Sequence, residues 1–167
     1  MINARDFAAR KHINQAYGTF FYTYHLDNVV HNLWYFGYTS QFYETLGYLH
    51  DVLEDTDCTY DELVNEFGIK IANTVQALTN EPGKNRKERF AKTYPKIRAD
   101  QSARIVKLAD RISNWEFSLL TRSKLASMYK KEYTKFRYQL YDKNDPQEVL
   151  EMWTYLNHLF EKEIKHG

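Results

Sequence analysis

The chain has 167 residues and a formal net charge of +1, which suits one domain with a single continuous core. The near-neutral balance argues against a protein that coats nucleic acid, and one cysteine, Cys58, excludes an internal disulfide. Six glycines and three prolines leave few interruptions for a many-turned β fold.

In chain order, the N-terminal MINARDFAARKH has no apolar h-region and no stretch approaches a membrane span, so a cytoplasmic protein without a membrane partner is expected. TFFYTYHL alternates only weakly and is too short to predict a strand. Residues 38–53 are predicted as one helix, with Phe42, Leu46, Leu49 and Leu53 on one face. Ile71, Val75 and Leu78 mark a further helix, as do Ile105, Leu108, Ile112 and Trp115. Met128, Phe136 and Leu140 mark the core side of another. The last helix, over 146–165, carries Val149, Leu150, Trp153, Leu156, Leu159, Phe160 and Ile164; Asp145, Pro146 and Glu148 supply its start signal. The prediction is an all-α fold of about seven to nine helices in one compact bundle spanning 1–167. Nothing in the sequence indicates oligomerisation.

The segment LHDVLEDT, residues 49–56, concentrates acids beside a histidine next to that apolar stripe. On the predicted helix His50 and Glu54 lie one turn apart, and Asp51 and Asp55 form a parallel pair. A catalytic divalent ion needs imidazole and carboxylate ligands from several elements. His25 in YTYHLDNVV and Asp110 in VKLADRISN are the candidates elsewhere. Asp110 sits among apolar neighbours, where a carboxylate is costly unless paired or metal-bound. The plainer alternative pairs it with Lys107 or Arg111. EPGKNRKER offers Lys84, Arg86, Lys87 and Arg89 for phosphate, although a charge run of this kind also reads as a solvated face. Lys130 and Tyr133 are further substrate candidates.

His25, then His50-Asp51 with Glu54-Asp55-Thr56, then Asp110 in KLADRISN, resembles the HD-domain phosphohydrolases. More narrowly the chain is similar to the alarmone hydrolases, the (p)ppGpp 3′-pyrophosphohydrolases of the RelA/SpoT and small alarmone hydrolase group. The resemblance runs over about residues 8–140 and includes LHDVLEDTDCTYDELVNEFG, GKNRKER and MYKKEYTKF. It implies a manganese ion held by His25, His50, Asp51 and Asp110. Glu54 and Asp55 would position and deprotonate the attacking water, and Asn114 would lie at the nucleoside. The substrate would be a nucleotide, ppGpp or pppGpp. One stretch departs from the family pattern Q-x-R-K-S-G: Gln15 is present, but Tyr17 and Gly18 stand where basic and serine residues are expected. Tyr17 retains a surface on which a base can stack. A hydrolase of another nucleotide therefore stays open beside ppGpp hydrolysis; a non-enzymatic nucleotide- or partner-binding module is the third alternative, which no residue favours because all the presumed ligands are present.

Overall fold

A computed structural model describes residues 3–165, the side chains of 163–165 excepted; Ile164 and the chain ends thus lie outside the described side chains. Among the described residues there are nine helices of eight residues or more and a single four-residue turn, in line with the predicted all-α bundle. In chain order they are α1 (Ala4–Lys11), α2 (Thr23–Tyr35), α3 (Gln41–Leu49), α4 (Val52–Asp55), α5 (Tyr60–Phe67) and α6 (Ile69–Leu78). There follow α7 (Arg86–Ala99), α8 (Gln101–Leu120), α9 (Leu125–Leu140) and α10 (Gln147–Lys165).

The longest of these, α8, is the axis of the bundle. It packs against α2, α3, α6, α7, α9 and α10. Asp100 caps its start, accepting from the backbone N–H groups of Ser102 (2.8 Å) and Ala103 (3.1 Å). Ile105, Leu108, Ile112 and Trp115, the predicted stripe, are all buried. Each such side chain contributes about 1.5–3 kcal/mol on leaving water. Because α8 is surrounded, Asp110, Arg111 and Ser113 are buried on it too and must find partners inside the protein.

Two sequence expectations need correction. The single helix over 38–53 is broken: α3 ends at Leu49, His50 and Asp51 form a turn, and α4 restarts at Val52. The apolar stripe continues across the break, so periodicity could not reveal it. The break is local, with Asp51 O accepting from the N–H groups of Glu54 (3.1 Å) and Asp55 (3.0 Å). The second correction is a small antiparallel hairpin, β1 (Ala16–Tyr17) with β2 (Phe20–Phe21), in the segment read as strand-free. Gly18 turns it at φ +61°, a conformation glycine adopts without strain. At the C-terminal helix, Asp145 turns both carboxylate oxygens to Arg104 (2.6 and 3.0 Å). No described helix is long and apolar enough to cross a membrane.

α2 and α3 approach so closely that a Cβ on Gly47 would stand 2.8 Å from Val30 Cγ2. This contact brings His25, near the start of α2, and His50, just past the end of α3, to one place.

Candidate metal centre

His25 and His50 are buried, with ring centroids 5.3 Å apart. Each is oriented through its Nδ1. His50 Nδ1 donates to the carbonyl of Gly47 at 2.8 Å, which puts the free lone pair on Nε2. Ser113 Oγ lies 3.3 Å from His25 Nδ1. The two Nε2 atoms then face the same carboxylates. His25 Nε2 is 3.4 Å from Asp110 Oδ1 and 3.8 Å from Asp51 Oδ2. His50 Nε2 is 2.9 Å from Asp51 Oδ2 and 3.8 Å from Asp110 Oδ1. One ligand atom each from His25, His50 and Asp110 lie within 4.8 Å of one another.

The donor set fits a divalent ion. His50 Nε2 is buried without a hydrogen-bond partner, its close approach to Asp51 falling outside hydrogen-bond geometry. Two imidazole nitrogens and two carboxylates suit a first-row transition metal. Electrostatics point the same way. Burial opposes a charge on His50, yet Asp51 and Asp110 outweigh it and lift the imidazole to about 9. Burial also opposes ionisation of Asp110, but Lys107 and the imidazoles hold its carboxyl well below the usual range. A field that draws a proton onto His50 favours a cation in its place.

The bases weighed as partners of Asp110 are both at hand, and they do different things. Lys107 Nζ donates to Asp110 Oδ2 at 2.8 Å and leaves Oδ1 to the histidines. Arg111 turns away, donating to Glu132 Oε2 at 3.2 Å with its guanidinium over the rings of Tyr129 and Phe136. Asn114 Nδ2 donates to Asp110 Oδ1 at 2.5 Å.

Beside the cluster lies a polar hollow of about 170 Å³. Its lining carries four acids, Asp51, Glu54, Asp55 and Asp110, and three cations, Arg86, Lys107 and Arg111; Asn80, Asn114, Phe90 and Tyr129 complete it. Glu54 is held by Asn80, through Nδ2 at 2.8 Å and the backbone N–H at 3.2 Å. Asp55 Oδ2 accepts from Gln15 Nε2 at 2.9 Å. Tyr22 Oη donates to Asp51 Oδ2 at 2.5 Å and lies 3.5 Å from Asp55 Oδ2. The Arg86 fork is set by Glu132 at 2.6 and 3.2 Å.

Of the substrate candidates, Arg86 and Asn114 line the hollow and Tyr17 adjoins it. Tyr17 stacks on His25, with centroids 4.8 Å apart, and its Oη donates to Asn114 Oδ1 at 2.8 Å. Lys84 and Lys87 are exposed outside the lining, and Arg89 and Lys130 are half-buried there. Tyr133 faces elsewhere: it is buried in α9, its Oη donates to Asn157 of α10, and it borders a separate hollow with Arg137 and Tyr141. Sequence reading missed Tyr22, Asn80, Tyr129 and Glu132. A signal existed for the cations, since Lys107 and Arg111 stand three residues before and one after Asp110 on a single helix.

Fold and site together define a helical domain of the HD type, with histidines and carboxylates gathered to hold a divalent cation. No protein-family model matches the chain. It is 39% identical over 98 residues to a guanosine-3′,5′-bis(diphosphate) 3′-pyrophosphohydrolase of Spiroplasma citri, over 52% of this chain and 13% of that protein. It is 34% identical over 122 residues to the human protein of that description, MESH1, over 68% of this chain and 66% of that one. The chain spans 13% and 14% of the long bacterial relatives from Spiroplasma citri and Aquifex aeolicus. The solved structure of a metazoan ortholog of SpoT, described as hydrolysing ppGpp, superposes with a TM-score of 0.80 at 21% identity, over 96% of this chain and 93% of that one. A Listeria monocytogenes structure gives 0.67 at 22% identity, over 82% and 94%. The chain belongs to the alarmone-hydrolase family of HD-domain proteins.

Proposed function

We propose that this chain is a manganese-dependent 3′-pyrophosphohydrolase of guanosine tetra- and pentaphosphate, acting as a single HD-type domain. The observation that carries the reading is the convergence of His25, His50, Asp51 and Asp110 beside a hollow lined by both acids and cations. The names of the similar proteins supply the substrate class.

His25, His50, Asp51 and Asp110 would hold the ion, which when bound makes a water acidic near neutral pH and draws charge from phosphate oxygens. Glu54 and Asp55 would accept hydrogen bonds from the attacking water, and one of them would take its proton. Asn80 and Gln15 keep the two carboxylates in place as acceptors. The water oxygen forms a bond to the phosphorus next to the ribose 3′-oxygen. The bond from phosphorus to that oxygen breaks, and the 3′-oxygen leaves as a hydroxyl once the proton taken from the water has been returned to it. The products are guanosine 5′-diphosphate, or the triphosphate, and pyrophosphate. Arg86, Lys107 and Arg111 offset the charge of the departing diphosphate. Asn114 contacts the nucleoside. Cys58, a buried lone thiol, suits the reducing cytoplasm.

The test is product analysis with manganese-loaded protein. Guanosine tetraphosphate should yield guanosine 5′-diphosphate and pyrophosphate, and EDTA or Asp51→Ala should stop it. Intact guanosine tetraphosphate alongside hydrolysis of another nucleotide would overturn the reading.

A second reading, another nucleotide as substrate, has one observation in its favour. Tyr17 Oη already occupies the Oδ1 of Asn114, the residue proposed at the nucleoside. A nucleotide screen for released phosphate and pyrophosphate decides between the two.

A further inference from the structure

His12 follows α1 directly and is 4% exposed. Its ring lies face to face with that of Tyr22, with centroids 4.5 Å apart and planes 27° from parallel. Its Nδ1 stands 2.6 Å from Gln15 Oε1, and Gln15 Nε2 stands 2.9 Å from Asp55 Oδ2.

Chemistry fixes the direction of both bonds. An ionised carboxylate only accepts, so Gln15 must turn its NH₂ to Asp55. The Gln15 carbonyl oxygen then faces His12 and can only accept, so the imidazole proton sits on Nδ1. Nε2 is left as a bare acceptor, and it is buried with no hydrogen-bond partner. An unmet buried acceptor is destabilising. Burial also pushes the His12 pKa down, against the pull of Gln15, so the ring stays neutral. A phenyl ring would fill the same space and stack on Tyr22 without the orphaned nitrogen. The imidazole differs from it in one useful way, the Nδ1–H aimed at Gln15.

Both neighbours of His12 lead to the site. Gln15 grips Asp55, and Tyr22 donates to Asp51 while reaching toward Asp55. Asp55 itself ends the four-residue turn α4, which offers it little support. We propose that His12 is a positioning residue for hydrolysis: by its edge through Gln15, and by its face through Tyr22, it fixes the Asp55 carboxylate against Asp51. This rests on the role given to Asp55 above.

The experiment has a kinetic arm and a spectroscopic arm, both on the full chain. With manganese and guanosine tetraphosphate, His12→Phe should lower kcat by about 10-fold to 100-fold, the range for residues that orient a metal site from behind, with KM little changed. His12→Asn, which restores an N–H near the position of Nδ1, should recover much of the loss. His12→Phe combined with Gln15→Met should be no slower than Gln15→Met alone, because the two act in series. By NMR on protein carrying ¹⁵N-histidine, His12 should be the Nδ1–H tautomer, and Gln15→Met should release it toward Nε2–H. A wild-type Nε2–H tautomer overturns the proposal, as does a wild-type kcat in His12→Phe or a strictly additive double variant. Wild-type protein that leaves guanosine tetraphosphate intact counts against the substrate assignment instead, and the tautomer then decides the proposal alone.

Discussion

Lys107 takes one oxygen of Asp110 and leaves the other to the histidines and Asn114, with Nζ 2.8 Å from Oδ2 and His25 Nε2 3.4 Å from Oδ1. The pair is nearly buried, so the ammonium offsets much of the negative charge that Asp51 and Asp110 bring into the core. Lys107→Met removes it and should destabilise the metal-free protein by about 3 kcal/mol. A divalent ion would then supply the missing positive charge. In urea denaturation, added manganese should therefore stabilise Lys107→Met by more than it stabilises wild type. Equal gains would show that the ammonium does not shape the site's field.

Manganese should raise the thermal midpoint of the wild-type protein, and EDTA should reverse the rise. At a free concentration 100 times Kd the gain is about 2.7 kcal/mol. His50→Ala removes a proposed ligand and should abolish the response in differential scanning calorimetry. A response that survives in this variant would place the ion elsewhere.

Glu54 reaches the hollow while Asn80 holds it with two N–H groups. Glu54→Gln keeps the size and loses the proposed proton acceptor. Its kcat should fall about 100-fold or more, while the midpoint shift with manganese stays as in wild type. Loss of both together would make Glu54 a ligand and not an acceptor.

Glu132 lies between Arg86 and Arg111. Burial favours its neutral form, but the two guanidiniums prevail and its pKa is depressed in the folded state. In the unfolded chain it titrates near 4.3. Below that pH the unfolded chain binds the proton more readily, so the contribution is present at neutral pH and is lost as pH falls through the folded-state value. Glu132→Gln lacks this dependence. Its unfolding free energy should drop less between pH 6 and pH 3 than that of wild type; parallel curves would exclude the coupling.

Gly47→Ala places a methyl 2.8 Å from Val30 Cγ2 and 3.0 Å from Leu33 Cδ1. Both belong to the buried face of α2, and Val30 has little rotamer freedom. The cost should be about 1–3 kcal/mol by chemical denaturation. The same residue supplies the carbonyl that orients His50, so manganese affinity should weaken with it. Wild-type stability would mean that α2 and α3 can separate freely.

Much of the proposed site was legible because metal ligation demands particular residue types. His25, His50, Asp51 and Asp110 are chemically unusual where they stand, and Leu46, Leu49, Leu108 and Ile112 locate them beside a core. The break at His50–Asp51 was not legible. It contains no glycine or proline, and tertiary contacts such as Tyr22 to Asp51 accompany it. The hairpin escaped because two-residue strands carry no period, although Gly18-Thr19 between Tyr17 and Phe20 is a turn signal. Tyr133 looked polar enough for a substrate contact, yet its hydroxyl partner, Asn157, comes from a helix that only the fold brings near.

Between Ala103 and Ser118 no residue of α8 is exposed. A helix with no fully exposed position over that span has little free surface on which neutral changes can collect. Evolutionary drift in this protein must therefore run around α8, and α8 should be its slowest-changing segment. New substrate preferences would arise on the surrounding parts, on the Tyr17 hairpin and on α7 and α9, whose outer faces can vary without dislodging the axis.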